Sequence, residues 1–379
     1  MSVSVKVSDS QRYMRLALKL AQRGVGSVEP NPAVGAVLVK DNKIIATGWH
    51  KKFGGPHAEI NALEDCKRSG FTPDGATMYV TLEPCCHHGK TAPCTDTIIA
   101  AGLAKVVVAT IDPSEHANGK GVEQLRNAGI EVEIGLCETE AKLLNAPFIK
   151  FAETGKPWVI LKWAQSIDGK LGYAGENNER WISNERSRKD AHKLRRRVSG
   201  ILVGINTVIA DDPLLTARPA KGKKPTRIVL DSQLRIPLDC KLLATAKKTP
   251  VLIVADAEAI KTNHQTAEEI AQKGAELLTV PTERGKCALD FLMDELSKRS
   301  IAQLLVEGGP TVITSFLKQR FADEIVVYIA PKILGQQGSV SISKPMAELA
   351  EAVGLHYVNI KHFSGDVRIS GLTARGTEL

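Results

Sequence analysis

Apolar positions along this chain fall into short groups whose period changes from one group to the next. Over residues 9–24, Met14, Ala17, Leu18 and Ala21 recur at three- and four-residue spacing and share one helical face, with Ser10 as a candidate cap and Gly24 as a candidate stop. Two apolar runs follow, Ala33 to Val39 and Ile44 to Gly48, joined by Lys40-Asp41-Asn42-Lys43 in the pattern of a β-hairpin. The pattern then alternates: a helix over 57–67, a strand over 77–82, a loop, a helix near 95–101, a strand over 105–111, a helix over 122–128 and a strand over 130–134. Such alternation predicts an α/β layered domain.

A second series opens at Trp158, with strands predicted over 158–163, 200–203, 226–231, 251–255, 276–280 and 303–306 and helical stretches between several of them. Residues 138–157, between the two series, hold a helix-like piece and then the turn-rich break Thr154-Gly155-Lys156-Pro157. The expected division is therefore residues 1–150 and 151–379, two different α/β domains without internal repeats. A chain of 379 residues, 43% of them hydrophobic, is long enough to bury two cores.

Composition narrows the classes. No apolar run approaches the ~18 residues of a membrane helix, and Met1 to Gln11 carries no apolar signal-like segment, so the expected location is the cytoplasm with no membrane partner. Seven unevenly spaced cysteines do not form a disulfide framework, and reduced thiols, some on a metal, fit better. The formal net charge of +8 suits an anionic partner. Basic residues are scattered apart from Lys193 to Arg197 and Lys221 to Lys224, and aromatics at 4% supply a base-stacking surface poorly. Phosphorylated metabolites are thus favoured over nucleic acid, with a merely solvated basic surface as the plainer alternative.

The stretch richest in chemistry pairs His57-Ala58-Glu59 with Glu83-Pro84-Cys85-Cys86-His87-His88 and Cys94. A zinc deaminase needs one neutral imidazole and two thiolates around the metal, with the fourth position open to a water whose pKa the ion lowers. It also needs a carboxylate outside the ligand set to move protons, and Glu59 stands two residues after His57 as the His-x-Glu signature requires. Adjacent residues rarely share one metal, so the reading takes Cys85 and Cys94 with His57. Sets using Cys86, His87 or His88 remain open on spacing alone. Cys66, Cys137, Cys240 and Cys287 lack such company and read as structural thiols.

Asn31-Pro32-Ala33-Val34-Gly35, Gly48-Trp49-His50, His57-Ala58-Glu59 and the run from Thr81 to Cys94 together resemble the deaminase half of the bifunctional riboflavin-biosynthesis deaminase/reductases. The resemblance implies a cytidine-deaminase-like α/β/α fold, zinc on His57, Cys85 and Cys94, and Glu59 as the catalytic acid and base. It also implies that Asn31, His50, His87 and Lys90 face the substrate, and it places Cys86 where the family commonly has serine. His50 and Lys90 suit a ribose phosphate as donor and cation; a loop side chain in water is the plainer reading of each.

The second half carries Val306-Glu307-Gly308-Gly309-Pro310-Thr311 after a predicted strand, a turn into a helix N-terminus that would offer N–H groups to a phosphate. A turn that only packs a helix on a sheet is as common. With Leu161 to Lys170, Trp181-Ile182-Ser183, Gly204 to Arg218, Asp231-Ser232 and Ile329 to Lys332, this half resembles the family's reductase domain, which has a dihydrofolate-reductase-like α/β fold. The resemblance implies NADPH contacts from Ala164, Trp181, Thr207, Asp211, Ser232 and the Gly309, Pro310, Thr311, Val312, Ile313, Thr314, Ser315 turn. Arg195, Leu215, Arg218 and Glu307 are implied to meet the ribose phosphate. The stretch Gly175 to Arg180 is longer than the family's usual form, with a substrate-facing serine displaced near Glu179.

The function so implied has two steps. The first is zinc-dependent deamination of 2,5-diamino-6-ribosylamino-4(3H)-pyrimidinone 5′-phosphate. The second is NADPH-dependent reduction of the ribosyl group to the ribitylamino compound, in a homodimer or higher homo-oligomer formed through the reductase half. Lys162 and Asp211 are candidates for proton movement in the second step, neither assigned. The rival is a zinc deaminase acting on RNA or nucleobases with a basic binding domain. A purely structural zinc is opposed by Glu59, because a closed four-ligand site has no use for a base.

Overall fold

In the computed structural model, the described residues are 8–87, 92–173, 181–218, 224–283, 285–335, 339–340 and 352–378. They form two compact units, one running to Gly155 and the other spanning Lys156–Glu378.

The first unit opens with α1 (Asp9–Ala21) and the hairpin β1 (Gly35–Lys40) and β2 (Lys43–Trp49). The cap of α1 is Ser8, whose hydroxyl accepts from Gln11 N while the Gln11 side chain accepts from Ser8 N. Ser10, the expected cap, instead sets its hydroxyl 3.2 Å from that of Tyr79. The hairpin turns on Asp41 and Asn42, both at positive φ, as a two-residue loop between right-twisted strands demands. There follow α2 (Ala58–Arg68), β3 (Thr77–Val80), α3 (Cys94–Ala100), β4 (Lys105–Val108), α4 (Lys120–Asn127), β5 (Glu131–Ile134) and α5 (Glu138–Thr154). The sheet order is β2-β1-β3-β4-β5, antiparallel across β1 and parallel from β3 onward.

Both faces of this sheet are covered. Ala36, Leu38, Met78, Val80, Val106 and Val108 pack against α2, α3 and α4, while Val37, Val39, Tyr79 and Val107 pack against Met14, Ala17 and Leu18 of α1 and Ala141 of α5. That is why the central strands read as unbroken apolar runs instead of an alternation. The helix α5 continues to Thr154 and packs in this unit, so the division falls just after it. It bends at Asn145, before Pro147. The buried Asn145 amide accepts from Ala33 N at 2.8 Å and donates to Ala33 O at 3.0 Å, pinning the loop that carries Asn31.

The second unit is built on a nine-stranded sheet. Seven parallel strands are β6 (Trp158–Ser166), β8 (Gly200–Gly204), β9 (Thr226–Leu230), β10 (Val251–Ala255), β11 (Glu276–Thr279), β14 (Gln303–Val306) and β15 (Glu324–Ala330). The antiparallel hairpin β17 (His356–Phe363) and β18 (Asp366–Leu372) completes the order β11-β10-β9-β8-β14-β6-β15-β18-β17. Short strands β7 (Gly172–Tyr173) with β16 (Ser339–Val340), and β12 (Thr282–Glu283) with β13 (Lys286–Cys287), stand apart from it. On one face Val159, Leu161, Leu202, Ile228, Leu252 and Leu304 meet α11 (Leu289–Lys298) and α12 (Pro310–Lys318). The helices α6 (Glu185–Arg197), α7 (Ile205–Asp211), α8 (Lys241–Ala244), α9 (Ala257–Thr262) and α10 (His264–Gln272) fill the remaining connections. Strands β15, β17 and β18 are absent from the sequence-based reading.

The structure places parts of the two basic runs noted in the sequence. The run Lys193 to Arg197 is the last turn of α6, where basic residues complement the helix dipole. Arg197 pairs with Glu324 at 2.5 Å and Arg195 with Glu307 at 2.7 Å, so much of this charge is internally balanced. Of the run Lys221 to Lys224, only Lys224 lies among the described residues, and its ammonium donates to the Lys248 carbonyl.

Candidate metal centre and cofactor-facing loops

His57 is the N-cap residue of α2 in extended conformation, and its ring takes no part in capping. Glu59 sits in the first turn of the same helix, so both side chains leave one helix start. Cys85 lies in the loop at the carboxyl end of β3, and Cys94 is the first residue of α3. His57 Nδ1 is 3.5 Å from Cys85 Sγ and 3.3 Å from Cys94 Sγ, and Cys94 N–H donates to Cys85 Sγ at 3.4 Å. One ligand atom from each of the three lies within 4.8 Å of the others, the single such group among the described residues.

The donor set fits zinc: one imidazole nitrogen and two sulfurs converge, a tetrahedral ion's three protein ligands with one position left open. The hydrogen bond from Cys94, with those of His57, brings the Cys85 thiol down to about 4, the thiolate a metal requires. Cys94 is pushed up as the donor of that pair and by burial. Glu59 is 3% exposed, and burial pushes its carboxyl up to about 7 against the opposing pull of His57. A buried acid poised near neutrality and outside the ligand set is equipped to carry a proton.

His50 is also buried and its ring meets that of His57 edge-on at 5.4 Å. Its Nδ1 lies 3.0 Å from the Pro56 carbonyl, so the proton belongs there, and Nε2 faces the Asn31 amide at 3.5 Å. Burial lowers its pKa, which keeps the ring neutral. Asn31, His50, His57 and Glu59 are thus brought together. His87 is exposed and stacks obliquely on His116, with centroids 5.8 Å apart. Lys90 and His88 lie outside the described residues. Cys86 turns away from the cluster, with Sγ 3.7 Å from the His116 carbonyl.

Sequence reasoning passed over Glu83. Its buried carboxylate accepts N–H groups from Asp112 and Gly119 on one oxygen and from Gly121 and Val122 on the other, at 2.8–3.2 Å. It ties the loop holding Cys85 to the start of α4. Gly121 must be glycine there, because a Cβ would stand 2.2 Å from the Pro84 carbonyl oxygen. The signal was present as a glutamate before Pro-Cys, but its partners are loop amides more than twenty-five residues away in sequence.

In the second unit the expected cofactor residues gather at the carboxyl ends of parallel strands, where open α/β sheets bind ligands. Ala164 is on β6, Thr207 and Asp211 on α7 after β8, Ser232 after β9, and Gly309 to Ser315 at the start of α12 after β14. The N-cap of α12 is Gly309, which has no side chain to satisfy the helix's first N–H groups. A Cβ on Gly309 would lie 3.6 Å from Thr207 Oγ1, in the cleft between the two loops, so this cradle suits a phosphate. Gly204 and Gly308 have another role, since a Cβ on either would come within 2.8 Å of the Val312 side chain. Trp181 is 63% exposed, with the Arg188 guanidinium 5.0 Å over its ring. The stretch Gly175 to Arg180 lies outside the described residues.

Around Glu307 the arrangement departs from expectation. Arg195 was expected to offer its fork to a phosphate, yet Nε and one terminal nitrogen grip both oxygens of Glu307 at 2.8 and 2.7 Å, and the other donates to Thr216 O. The Lys162 ammonium is 3.9 Å from the same carboxylate. Burial would raise Glu307, but Arg195 and Lys162 more than offset it and hold it at about 2. Burial lowers Lys162 in turn. Leu215 is 3% exposed, so its side chain is core and only its backbone, at φ 48°, is available to a ligand. Arg218 is exposed. His192, which sequence reasoning missed, has a buried Nδ1 with no partner, and burial followed by Arg195 and Arg218 lowers its pKa.

The pattern of the cytidine and deoxycytidylate deaminase zinc-binding region matches residues 7–110, and that of the RibD C-terminal domain matches residues 157–369. The chain is 47% identical to riboflavin biosynthesis protein RibD of Aquifex aeolicus (strain VF5) over 332 residues, 87% of this chain and 89% of that one. It is 39% identical to that of Escherichia coli (strain K12), covering 94% and 97%. The crystal structure of a diaminohydroxyphosphoribosylaminopyrimidine deaminase/5-amino-6-(5-phosphoribosylamino)uracil reductase from Thermotoga maritima superposes with a TM-score of 0.83 at 35% identity, over 97% of this chain and 99% of that one. Acinetobacter baumannii RibD gives a TM-score of 0.83 at 36% identity, over 97% and 100%. The two units are accordingly a cytidine-deaminase-like domain and a dihydrofolate-reductase-like RibD domain. With both patterns in one chain and relatives aligned along nearly all of it, this protein belongs to the RibD family of riboflavin-biosynthesis deaminase/reductases.

Proposed function

We propose that the chain carries out two successive steps of riboflavin biosynthesis on one phosphorylated substrate, and that the first rests on the three-ligand cluster beside buried Glu59. The first unit, to Gly155, deaminates 2,5-diamino-6-ribosylamino-4(3H)-pyrimidinone 5′-phosphate; the second, from Lys156, reduces the ribosyl group to give 5-amino-6-ribitylaminouracil 5′-phosphate.

His57, Cys85 and Cys94 would hold zinc, which when bound makes a water in its open position acidic enough to attack near neutral pH. Deamination exchanges the ring's amino group for the oxygen of water, and the departing nitrogen needs a proton. Glu59 takes one from the attacking side and delivers it to that nitrogen. Asn31, neutral His50, His87 and Lys90 face the substrate, with His50 and Lys90 suited to its ribose phosphate.

NADPH supplies the hydride of the second step. Ala164, Trp181, Thr207, Asp211, Ser232 and the start of α12 seat it, while Arg218 and the Leu215 backbone face the sugar phosphate. Glu307, gripped by Arg195, presents a fixed negative charge beside Lys162. The reading includes self-association through this half: β17 is the sheet's edge, exposed along its length, with Tyr357, Val358 and Ile360 on it. It also includes a cytoplasmic location; no helix among the described residues is long and apolar enough to cross a membrane.

Glu59→Gln tests the first step. The variant should keep about one zinc per chain, because Glu59 is not a ligand. Deamination should fall by a factor on the order of 10² or more, with reduction of the deaminated substrate unchanged. Deamination at a near wild-type rate would remove Glu59 from the proposal.

A further inference from the structure

Arg227 carries a charge inside the second unit. It sits on β9 between β8 and β10, 0% exposed, and points to the opposite face from its apolar neighbour Ile228. Burial pulls its pKa down to about 10, which leaves the guanidinium charged at neutral pH. Every group it holds is a neutral oxygen. Nε donates to Pro250 O at 3.5 Å; one terminal nitrogen donates to Thr245 Oγ1 at 2.7 Å and Leu214 O at 3.3 Å, the other to Thr245 O at 3.3 Å and Thr249 O at 2.5 Å. An arginine fork has five N–H groups, and these contacts use them all. The contacts to Thr245, Thr249 and Pro250 tie down the turn after α8. The remaining one reaches a different segment, the stretch from Asp212 to Arg218.

That stretch is pinned at alternate residues. The Asp212 carboxylate accepts from Lys241 N at 2.8 Å, the Leu214 carbonyl is held by Arg227, and the Thr216 carbonyl accepts from Arg195 at 3.2 Å. Leu215 therefore lies between two arginines that reach it from different elements, β9 and α6. Its backbone is left-handed at φ 48°, a conformation that a leucine rarely adopts and that persists only where its surroundings impose it. Its side chain is anchored in the core, and Arg218 follows three residues on, exposed.

We infer that Arg227 is a positioning residue for the reduction: together with Arg195 it clamps the carbonyls on either side of Leu215, keeps that residue left-handed, and so aims the Leu215 backbone and Arg218 at the sugar phosphate. The inference rests on the proposed substrate role of those two residues. Arg227 itself is enclosed and meets no ligand. Its charge is the means, because one planar fork can hold carbonyls of two segments at once. A lysine brings one nitrogen where three converge, and an apolar side chain leaves the buried oxygens unpaired.

The test uses the full-length protein with Arg227→Lys, which keeps the charge. The variant should melt cooperatively and bind NADPH, in a fluorescence titration without turnover, within about twofold of wild type. Its kcat/KM for reducing the deaminated substrate should fall about ten- to a hundredfold, the scale of a small misplacement of substrate-holding groups. Deamination in the first unit should be unchanged. An unaltered kcat/KM in the folded variant, or a loss of NADPH affinity by the same factor, would overturn the assignment and make Arg227 a residue of the fold alone. Thr245→Ala covers the case in which Arg227→Lys does not fold, since it removes the 2.7 Å anchor of the nitrogen that holds Leu214 without touching the substrate stretch. A smaller loss in the same direction, with NADPH affinity kept, is expected from it; no loss would equally overturn the assignment. Wild-type protein unable to reduce the deaminated substrate would instead sink the reading of the second step, and this inference with it.

Discussion

At the scale of single residues, chemistry in this protein depends on which charges are held together away from water. Glu307 is the clearest case, with a carboxylate 8% exposed between Arg195 and Lys162. Glu307→Gln keeps the shape and leaves two mostly buried cations facing each other, which should cost about 3–5 kcal/mol. The pH dependence follows from the direction of its shift. Glu307 is held at about 2, below its ordinary 4.5, so its contribution is complete above the higher value and is lost as pH falls toward the lower. Thermal melts at neutral pH and at about pH 3 should show the variant's deficit shrinking on acidification. A variant as stable as wild type at neutral pH would mean that the triad holds nothing. His57 and Glu59 were legible from their spacing; the pairing of Arg195 with Glu307 was not, because 112 residues separate them and nothing local marks the match.

At the scale of elements, the metal loop is braced from outside. Glu83 ties it to α4 through four backbone N–H groups, so Glu83→Ala frees the loop without touching a ligand. Zinc affinity should drop about ten- to a hundredfold, as for other residues that orient ligands, and the unit should melt earlier. Competition with a chelator measures the first; unchanged zinc affinity would show that Cys85 is positioned without Glu83. Helices were read best where one face alone is apolar, as in α1. The hairpin β17–β18 escaped because β17 is exposed on both faces, so no buried face imposes a pattern on its sequence.

At the scale of the whole chain, each unit owns its sheet and its buried clusters. A fragment beginning at Lys156 should therefore fold cooperatively and bind NADPH without zinc, forming the same oligomer as the intact protein if β17 is the contact. Circular dichroism, coenzyme titration and sedimentation measure the three properties. A fragment that unfolds or aggregates would mean that α5, which ends at Thr154, is needed by the second unit as well as by the first.

Sequence alone determined the local features: amphipathic helix faces, the hairpin around Lys40-Asp41-Asn42-Lys43, the turn-rich break before Trp158 and a ligand-and-acid pair on one helix start. Each depends on residues a few positions apart, where backbone geometry fixes the relation between side chains. Tertiary structure alone decided the rest. It brought Cys94, already preferred from the sequence, back over the loop to His57, while Cys86, an alternative that spacing had left open, points toward His116. It committed Arg195 to Glu307 and gave Glu83 its four amides. These contacts join segments far apart in the chain, and their partners are selected by sheet order and burial, which no local pattern encodes.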